Sequence, residues 1–236
     1  MKGDYGRARE MYQLARSKTP EGVAPGQPTF STAYTYLYEG NVDQALETLR
    51  AYLEDYRKTS AAADLPEVFI WNSMARINLE NGRLEEAMKA YEKGFESVPG
   101  SKLPEEQKKI WLGRLHHGRG RTLARMGRHD EAWAEAETIK KMIDEGGEAG
   151  KPFEPAYHYL AGYVKLEKGD YAAAIEHLKQ ADPDDPFHKL LLARAYEKAG
   201  DRDNARKAYQ DVVDSPQNNL DRALAYREAK TKLRAL

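Results

Sequence analysis

The chain has 236 residues, is 41% hydrophobic and 32% charged, and sets 37 Lys and Arg against 38 Asp and Glu for a formal net charge of −1. That near-neutral total gives no overall electrostatic attraction for nucleic acid or an anionic membrane, and the lack of cysteine removes disulfides, thiolate zinc sites and cysteine nucleophiles together. No apolar run reaches the roughly 20 residues of a membrane-spanning helix and no apolar signal-peptide core opens the chain, so a cytoplasmic address is the expectation, with which a cysteine-free composition agrees.

The predicted elements follow a turn of the form Gly-[Asp/Asn/Arg]-x-x-x-Ala, which recurs six times. It first occurs as "GDYGRAREMYQLA" from Gly3, where residues 1–20 read as a second helix lacking its first. Next, "GNVDQALETLRAY" from Gly40 belongs to a helix pair over 26–57, and "GRLEEAMKAYEKG" from Gly82 to one over 67–99. "GRHDEAWAEAETI" from Gly127 falls in 108–144, "GDYAAAIEHLKQA" from Gly169 in 155–182 and "GDRDNARKAYQDV" from Gly200 in 186–216. The closing stretch 219–236 reads as one amphipathic capping helix, with Leu220, Ala223, Leu224 and Leu233 inward and its Arg, Lys and Glu outward.

Each recurring position has a physical role. The glycine takes the left-handed conformation that ends one helix and lets the chain reverse. Five residues on stands a small side chain (Ala8, Ala45, Ala87, Ala132, Ala174, Ala205) that lets the second helix lie close against the first. Four later comes a core-filling residue (Tyr12, Leu49, Tyr91, Leu178, Tyr209), with Ala136 as the small exception. Prolines at Pro20, Pro99, Pro186 and Pro216 stop the second helices.

Upstream of five of the six glycines lies another amphipathic helix, as in "VFIWNSMARINLENG", with Trp71, Met74, Ala75 and Asn78 ahead of Gly82. Leu192, Ala193 and Tyr196 fill equivalent slots before Gly200, and Ala161 and Gly162 before Gly169. These units resemble tetratricopeptide repeats. The resemblance implies an all-α fold, a right-handed α-solenoid of stacked antiparallel helix pairs. The spacing departs from the family's period of about 34 residues, because "RKTSAAADLP", "GSKLPEEQKK" and "DEGGEAGKPFEP" are inserted between repeats. The unpaired opening helix, with Tyr5, Ala8, Tyr12 and Ala15 partly uncovered, is expected to mean a C-terminal array of a longer bacterial protein, or a partner over that edge.

No enzyme is legible, and the expected cofactors and metals are none. "GRLHHGRGRT" lacks the Lys-Ser/Thr of a phosphate loop and follows no strand, and "GGEAGKP" fails in spacing. His116, His117 and His129 do not converge, since adjacent helical residues point about 100° apart. Paired acids such as Glu85 and Glu86, or Glu105 and Glu106, sit where helix starts favour negative charge. One stretch stands out: from Gln107 to His129 there is no acidic residue, while Lys108, Lys109, Arg114, Arg119, Arg121, Arg125 and Arg128 all occur. A solvated face is the plain reading of such a run.

The resemblance adds a second reading, in which first helices line a concave groove. Carried over by position relative to the turn, groove residues are Phe30, Tyr34 and Tyr38, then Asn72 and Arg76, then His117, Arg121 and Arg125, then Tyr159 and Tyr163, and finally Arg194 and Lys198. A groove basic in its middle and flanked by tyrosines suits a peptide with acidic residues or a free C-terminus. The expected function is a non-catalytic protein–protein interaction scaffold binding a peptide or partner domain. The runner-up is a regulatory or sensor domain of a multidomain bacterial signalling protein, a kinase or transcription regulator. Self-association through the Tyr5/Tyr12 face is a third reading; no nucleic acid and no membrane insertion are expected.

Overall fold

All six repeat glycines adopt left-handed backbone, with φ of 90° at Gly3, 83° at Gly40, 79° at Gly82, 78° at Gly127, 89° at Gly169 and 84° at Gly200. From Gly40 onward each ends its helix in the same way. The glycine N–H returns to the carbonyl three residues back, and the next N–H reaches five back, as in Gly40 to Leu37 at 3.0 Å and Asn41 to Tyr36 at 2.8 Å. This double bond pattern satisfies carbonyls that a helix end otherwise leaves open. The residue after the glycine then starts the second helix. Asp4, Asn41, Asp170 and Asp201 each accept a backbone N–H of the first turn, whereas Arg83 and Arg128 make no such side-chain cap.

The computed structural model describes residues 3–20, 23, 25–59 and 65–236; part of the first insertion, at 60–64, lies outside them. Among the described residues there are twelve α-helices and no strand: α1 (Tyr5–Ser17), α2 (Gly26–Glu39), α3 (Val42–Tyr56), α4 (Val68–Glu80), α5 (Leu84–Glu96), α6 (Glu105–Arg125), α7 (His129–Glu145), α8 (Glu154–Lys168), α9 (Tyr171–Leu178), α10 (Pro186–Ala199), α11 (Arg202–Asp214) and α12 (Leu220–Ala235). The second insertion lengthens α6, and the third forms two short 3-10 turns at Gly147–Ala149 and Lys151–Phe153. The expected all-α architecture of antiparallel helix pairs is the one found.

The chain divides into two compact units. Unit 1 comprises Met1–Trp111 with Asn218–Leu224, and unit 2 comprises Leu112–Gln217 with Ala225–Leu236. In unit 1, α1 packs on α2, and the pairs α2–α3 and α4–α5 stack in sequence order. Their core holds Leu46, Leu49, Ile70, Ile77 and Leu79, each at most 1% exposed. An aromatic cluster of Phe30, Tyr52, Tyr56 and Phe69 joins α2, α3 and α4, with ring centroids 5.2–6.1 Å apart in successive contacts. In unit 2, α8–α9 and α10–α11 pair, α7 packs on α8 and α9 on α10, around Leu160, Tyr163, Phe187, Leu190, Leu191 and Tyr209, all fully buried.

The repeat alanines sit at the closest approaches: Ala45, Ala87, Ala132, Ala174 and Ala205 have no exposed surface. Gly162 extends the same logic to a first helix, because a Cβ there would lie 2.6 Å from Leu178 Cγ. The last helix departs from the sequence reading. Leu220 and Ala223 are buried, and so are Ala225 and Ala229, but Asp221, Arg222, Glu228 and Lys232 are paired with other helices instead of pointing into solvent.

Candidate functional site

In unit 1 the first helices are α2 and α4, and four-residue spacing places Tyr34 and Tyr38 on one face of α2 and Asn72 and Arg76 on one face of α4. That face is occupied by the chain's own residues 218–224. The Arg76 guanidinium pairs with the Asp221 carboxylate, their side chains only 13% and 21% exposed. Tyr34 lies close to both charges, and its phenol is pushed well above the ordinary range, by burial first and then by the Asp221 charge, with Arg76 opposing. Tyr38 stacks on Tyr5 with centroids 5.4 Å apart and planes 5° from parallel. Its hydroxyl accepts a hydrogen bond from Arg222 Nη1 at 3.2 Å, and the same guanidinium lies 5.6 Å from the ring centre. Asn218 donates to the Tyr12 hydroxyl at 3.4 Å. Phe30 serves the aromatic cluster, and Asn72 is half-buried.

In unit 2 the first helices are the C-terminal part of α6, α8 and α10. Here the expected groove residues are drawn into the packing. Arg121 is 4% exposed, His117 9%, Tyr159 7% and Tyr163 fully buried. Arg121 Nη1 donates to the Tyr159 hydroxyl at 3.0 Å, His117 lies 4.6 Å from the Tyr159 ring, and His188 covers it at 4.0 Å. His117, Arg121 and Tyr159 are thus brought together as a buried polar cluster. Arg125 is half-buried and Lys198 is exposed.

Arg194 on α10 makes a two-pronged bond to Glu228, at 2.8 Å and 2.6 Å. One turn on, Glu197 accepts from the Tyr209 hydroxyl at 2.6 Å and from Lys232 at 2.7 Å. Burial alone would raise the Glu197 carboxyl, but the bonds from Lys232 and Tyr209 hold it below the usual carboxylate range.

The basic stretch is largely neutralised by acids on other turns and helices. Lys108 pairs with Glu105 at 2.9 Å, Lys109 with Glu106 at 3.2 Å, and Arg128 with Glu131 at 2.6 Å. Arg119, which occupies a slot the repeat pattern fills with an apolar residue, finds Glu135 on α7 at 3.1 Å, and His116 Nδ1 contacts the same carboxylate at 2.5 Å. His116 and His117 therefore serve different partners, and among the described residues no three His, Asp or Glu converge as metal ligands. "GRLHHGRGRT" lies wholly within α6. Among the described residues no helix is long and apolar enough to cross a membrane.

Sequence reasoning missed Glu135, Asp221, Arg222, Glu197 and Glu228. The available signal was the spacing within α12, where Asp221 and Glu228 stand seven residues apart among alanines, on one helical stripe. Away from this face, a cleft of about 820 Å³ opens over α3, α4 and α5. Its rim mixes Arg50, Arg57 and Lys89 with Glu47, Glu54 and Glu86, so it favours neither charge.

A tetratricopeptide repeat profile matches residues 30–101 and 117–188, and a second one matches residues 165–233. No curated protein matches the chain. Among solved structures, the chain is similar to nearly identical TPR-like repeats from a Podosopora anserina protein assigned as a kinesin light chain, at 18% identity and a TM-score of 0.43, covering 98% of each chain. It is also similar to a tetratricopeptide repeat protein of Parabacteroides merdae, at 15% identity and a TM-score of 0.42, covering 99% of this chain and 92% of that one. With one profile alone matching more than half of the sequence, the chain belongs to the tetratricopeptide repeat family.

Proposed function

We propose that this chain is a protein-interaction scaffold that binds a partner segment carrying acidic residues on the face of its first helices. Protein–protein interaction is the general function of tetratricopeptide repeats, and the reading assigns no catalytic step. The observation that carries the finer part is the use of Arg76 and Arg194. Each stands on a first helix, each is only partly exposed, and each holds a carboxylate presented by another helix, Asp221 and Glu228. A planar guanidinium held in place by its surroundings selects carboxylates in a way a mobile surface lysine does not. Tyrosines beside these arginines, Tyr34 and Tyr38, offer rigid apolar area next to the charge.

The test is a fluorescence-anisotropy titration of the chain with a labelled peptide bearing a single glutamate, beside a peptide with glutamine in its place. The acidic peptide is expected to bind about tenfold or more tightly than the amide peptide, and Arg76→Glu with Arg194→Glu to abolish the difference. Equal affinity for the two peptides sinks the proposal.

A further inference from the structure

Each second helix offers four positions to the first helix before it, at five, eight, nine and twelve residues after the turn glycine. In α5 these are Ala87, Ala90, Tyr91 and Gly94, in α11 they are Ala205, Ala208, Tyr209 and Val212, and every one is buried. The helices packed on them are α4 and α10. In α1 the same positions, counted from Gly3, are Ala8, Met11, Tyr12 and Ala15, and none is buried. Met11 is 57% exposed and Leu14 46%, and Ala15 is exposed beside them. Residues three and four apart share a helix face, so Met11, Leu14 and Ala15 form one apolar strip. Arg7, four residues before Met11, and Lys18, four after Leu14, close the strip at its two ends, and both are exposed.

The packing of α4 on α5 indicates what fits such a strip. The twelfth position of α5 is Gly94, where a Cβ would lie 2.6 Å from Trp71 Cβ, so a small residue on the second helix admits a large aromatic from the first. Ala15 is the matching small residue of α1, and the unbranched Met11 side chain adapts to whatever covers it. A helix laid on α1 as α4 lies on α5 runs antiparallel to it. With its aromatic over Ala15, the position four residues earlier (Glu67 in α4) falls opposite Lys18, and the position seven later (Asn78 in α4) falls opposite Arg7. Arg7 and Lys18 are eleven residues apart, as are positions 67 and 78, which is about 16 Å along either helix.

We infer that the open strip of α1 is a docking seat for one amphipathic helix of a partner protein, which lays an aromatic side chain over Ala15 and pairs acidic residues at its two ends with Arg7 and Lys18. The apolar strip supplies the contact, and the cations at its ends select the partner's charge and register. Helices α2, α4, α8 and α10 of a second copy are not available for the seat, because each is packed on a second helix of its own. The seat lies wholly within unit 1 and uses neither Arg76 nor Arg194, so the inference stands apart from the function proposed above.

The test uses the whole chain and, as probe, a fluorescein-labelled peptide of residues 66–82 carrying Asn78→Glu. A lactam between positions 69 and 73, on the side away from Trp71, holds it helical, so that a failure to bind does not reflect a failure to fold. Anisotropy titrations compare the wild type with Met11→Glu and with Arg7→Glu/Lys18→Glu. Because α1 buries none of its side chains, both variants are expected to keep the fold, and circular dichroism verifies this. Each variant is expected to lose about tenfold or more in affinity, and so is the wild type when the peptide carries Trp71→Ala. A peptide with Glu67→Lys and Asn78→Lys is expected to regain the lost affinity on Arg7→Glu/Lys18→Glu. Binding left unchanged by Met11→Glu, or no binding up to about a millimolar peptide, overturns the seat. A lysine peptide that regains nothing overturns the acidic partner. A wild-type dimer in light scattering that Met11→Glu dissolves overturns the inference in favour of a second copy.

Discussion

Replacing Gly162 with alanine sets two opposed effects against each other, and the structure decides their balance. Alanine in a helix interior gains about 1 kcal/mol over glycine. At this site, however, the new Cβ would lie 2.6 Å from Leu178 Cγ, 2.9 Å from its Cδ2 and 3.2 Å from its backbone nitrogen. A branch carbon and a backbone atom cannot swing aside as the tip of a long side chain can, and Leu178 is 4% exposed at the end of α9. Overpacking of this kind costs about 1–3 kcal/mol, so Gly162→Ala should destabilise by about 1 kcal/mol net. Leu178→Ala alone should cost about 2–5 kcal/mol through the cavity it opens. In that background Gly162→Ala should turn neutral or stabilising, giving a coupling of about 1–2 kcal/mol between the two sites. Urea unfolding followed by far-UV circular dichroism on the four proteins of the cycle measures this. A Gly162→Ala protein as stable as the wild type, or strictly additive effects, would refute the close-approach argument.

Gly200→Ala places a Cβ in open space but at φ 84°, so the loss of about 1–2 kcal/mol should come from backbone strain alone; a smaller loss for Gly200→Asn in the same unfolding assay checks that origin. Glu135→Ala removes the shared partner of His116 and Arg119 from a site 12% exposed and should cost about 2 kcal/mol; a loss below about 0.5 kcal/mol in urea unfolding would show the pair contributes little. His158 and His177 touch through their Nδ1 atoms at 3.0 Å. Burial lowers both pKa values, with Lys140 adding to the shift at His158 against Glu154, and His158 and Lys165 adding to it at His177 against Glu176. The unfolded chain therefore takes up protons first, so stability is full above about pH 6.5 and is lost as pH falls from there through the lower folded values. The melting temperature should drop over that acid range, and His158→Gln with His177→Gln should flatten the dependence; an unchanged slope refutes the assignment.

The helix-pair order was legible because it depends on short-range rules: a left-handed glycine, a small residue five positions on and a large one four beyond that. Gly40 and Ala45 show it, one at φ 83° and the other fully buried. The candidate site was legible only in part, because its partners lie far off in sequence. Arg76 and Asp221 are 145 positions apart, and Arg194 and Glu228 are 34 apart, and no local periodicity connects such pairs. Arg121 shows the other limit. Its place relative to the turn suggests a face open to partners, yet the Tyr159 hydroxyl and the His117 carbonyl accept from it in a buried cluster. Position in a repeat fixes which way a side chain leaves its helix and does not fix what covers it.

The pairing of Arg76 with Asp221 and of Arg194 with Glu228 bears on how association would respond to ionic strength. Charged partners that meet as free ions lose affinity steeply as salt is added, since screening weakens contacts that did not exist beforehand. A carboxylate arriving at either arginine would replace a resident one. The number of ion pairs is the same before and after, and salt weakens the displaced contact as much as the new one. A flat salt response is usually taken as the mark of an apolar interface. Here it would be the mark of an exchange between like charges.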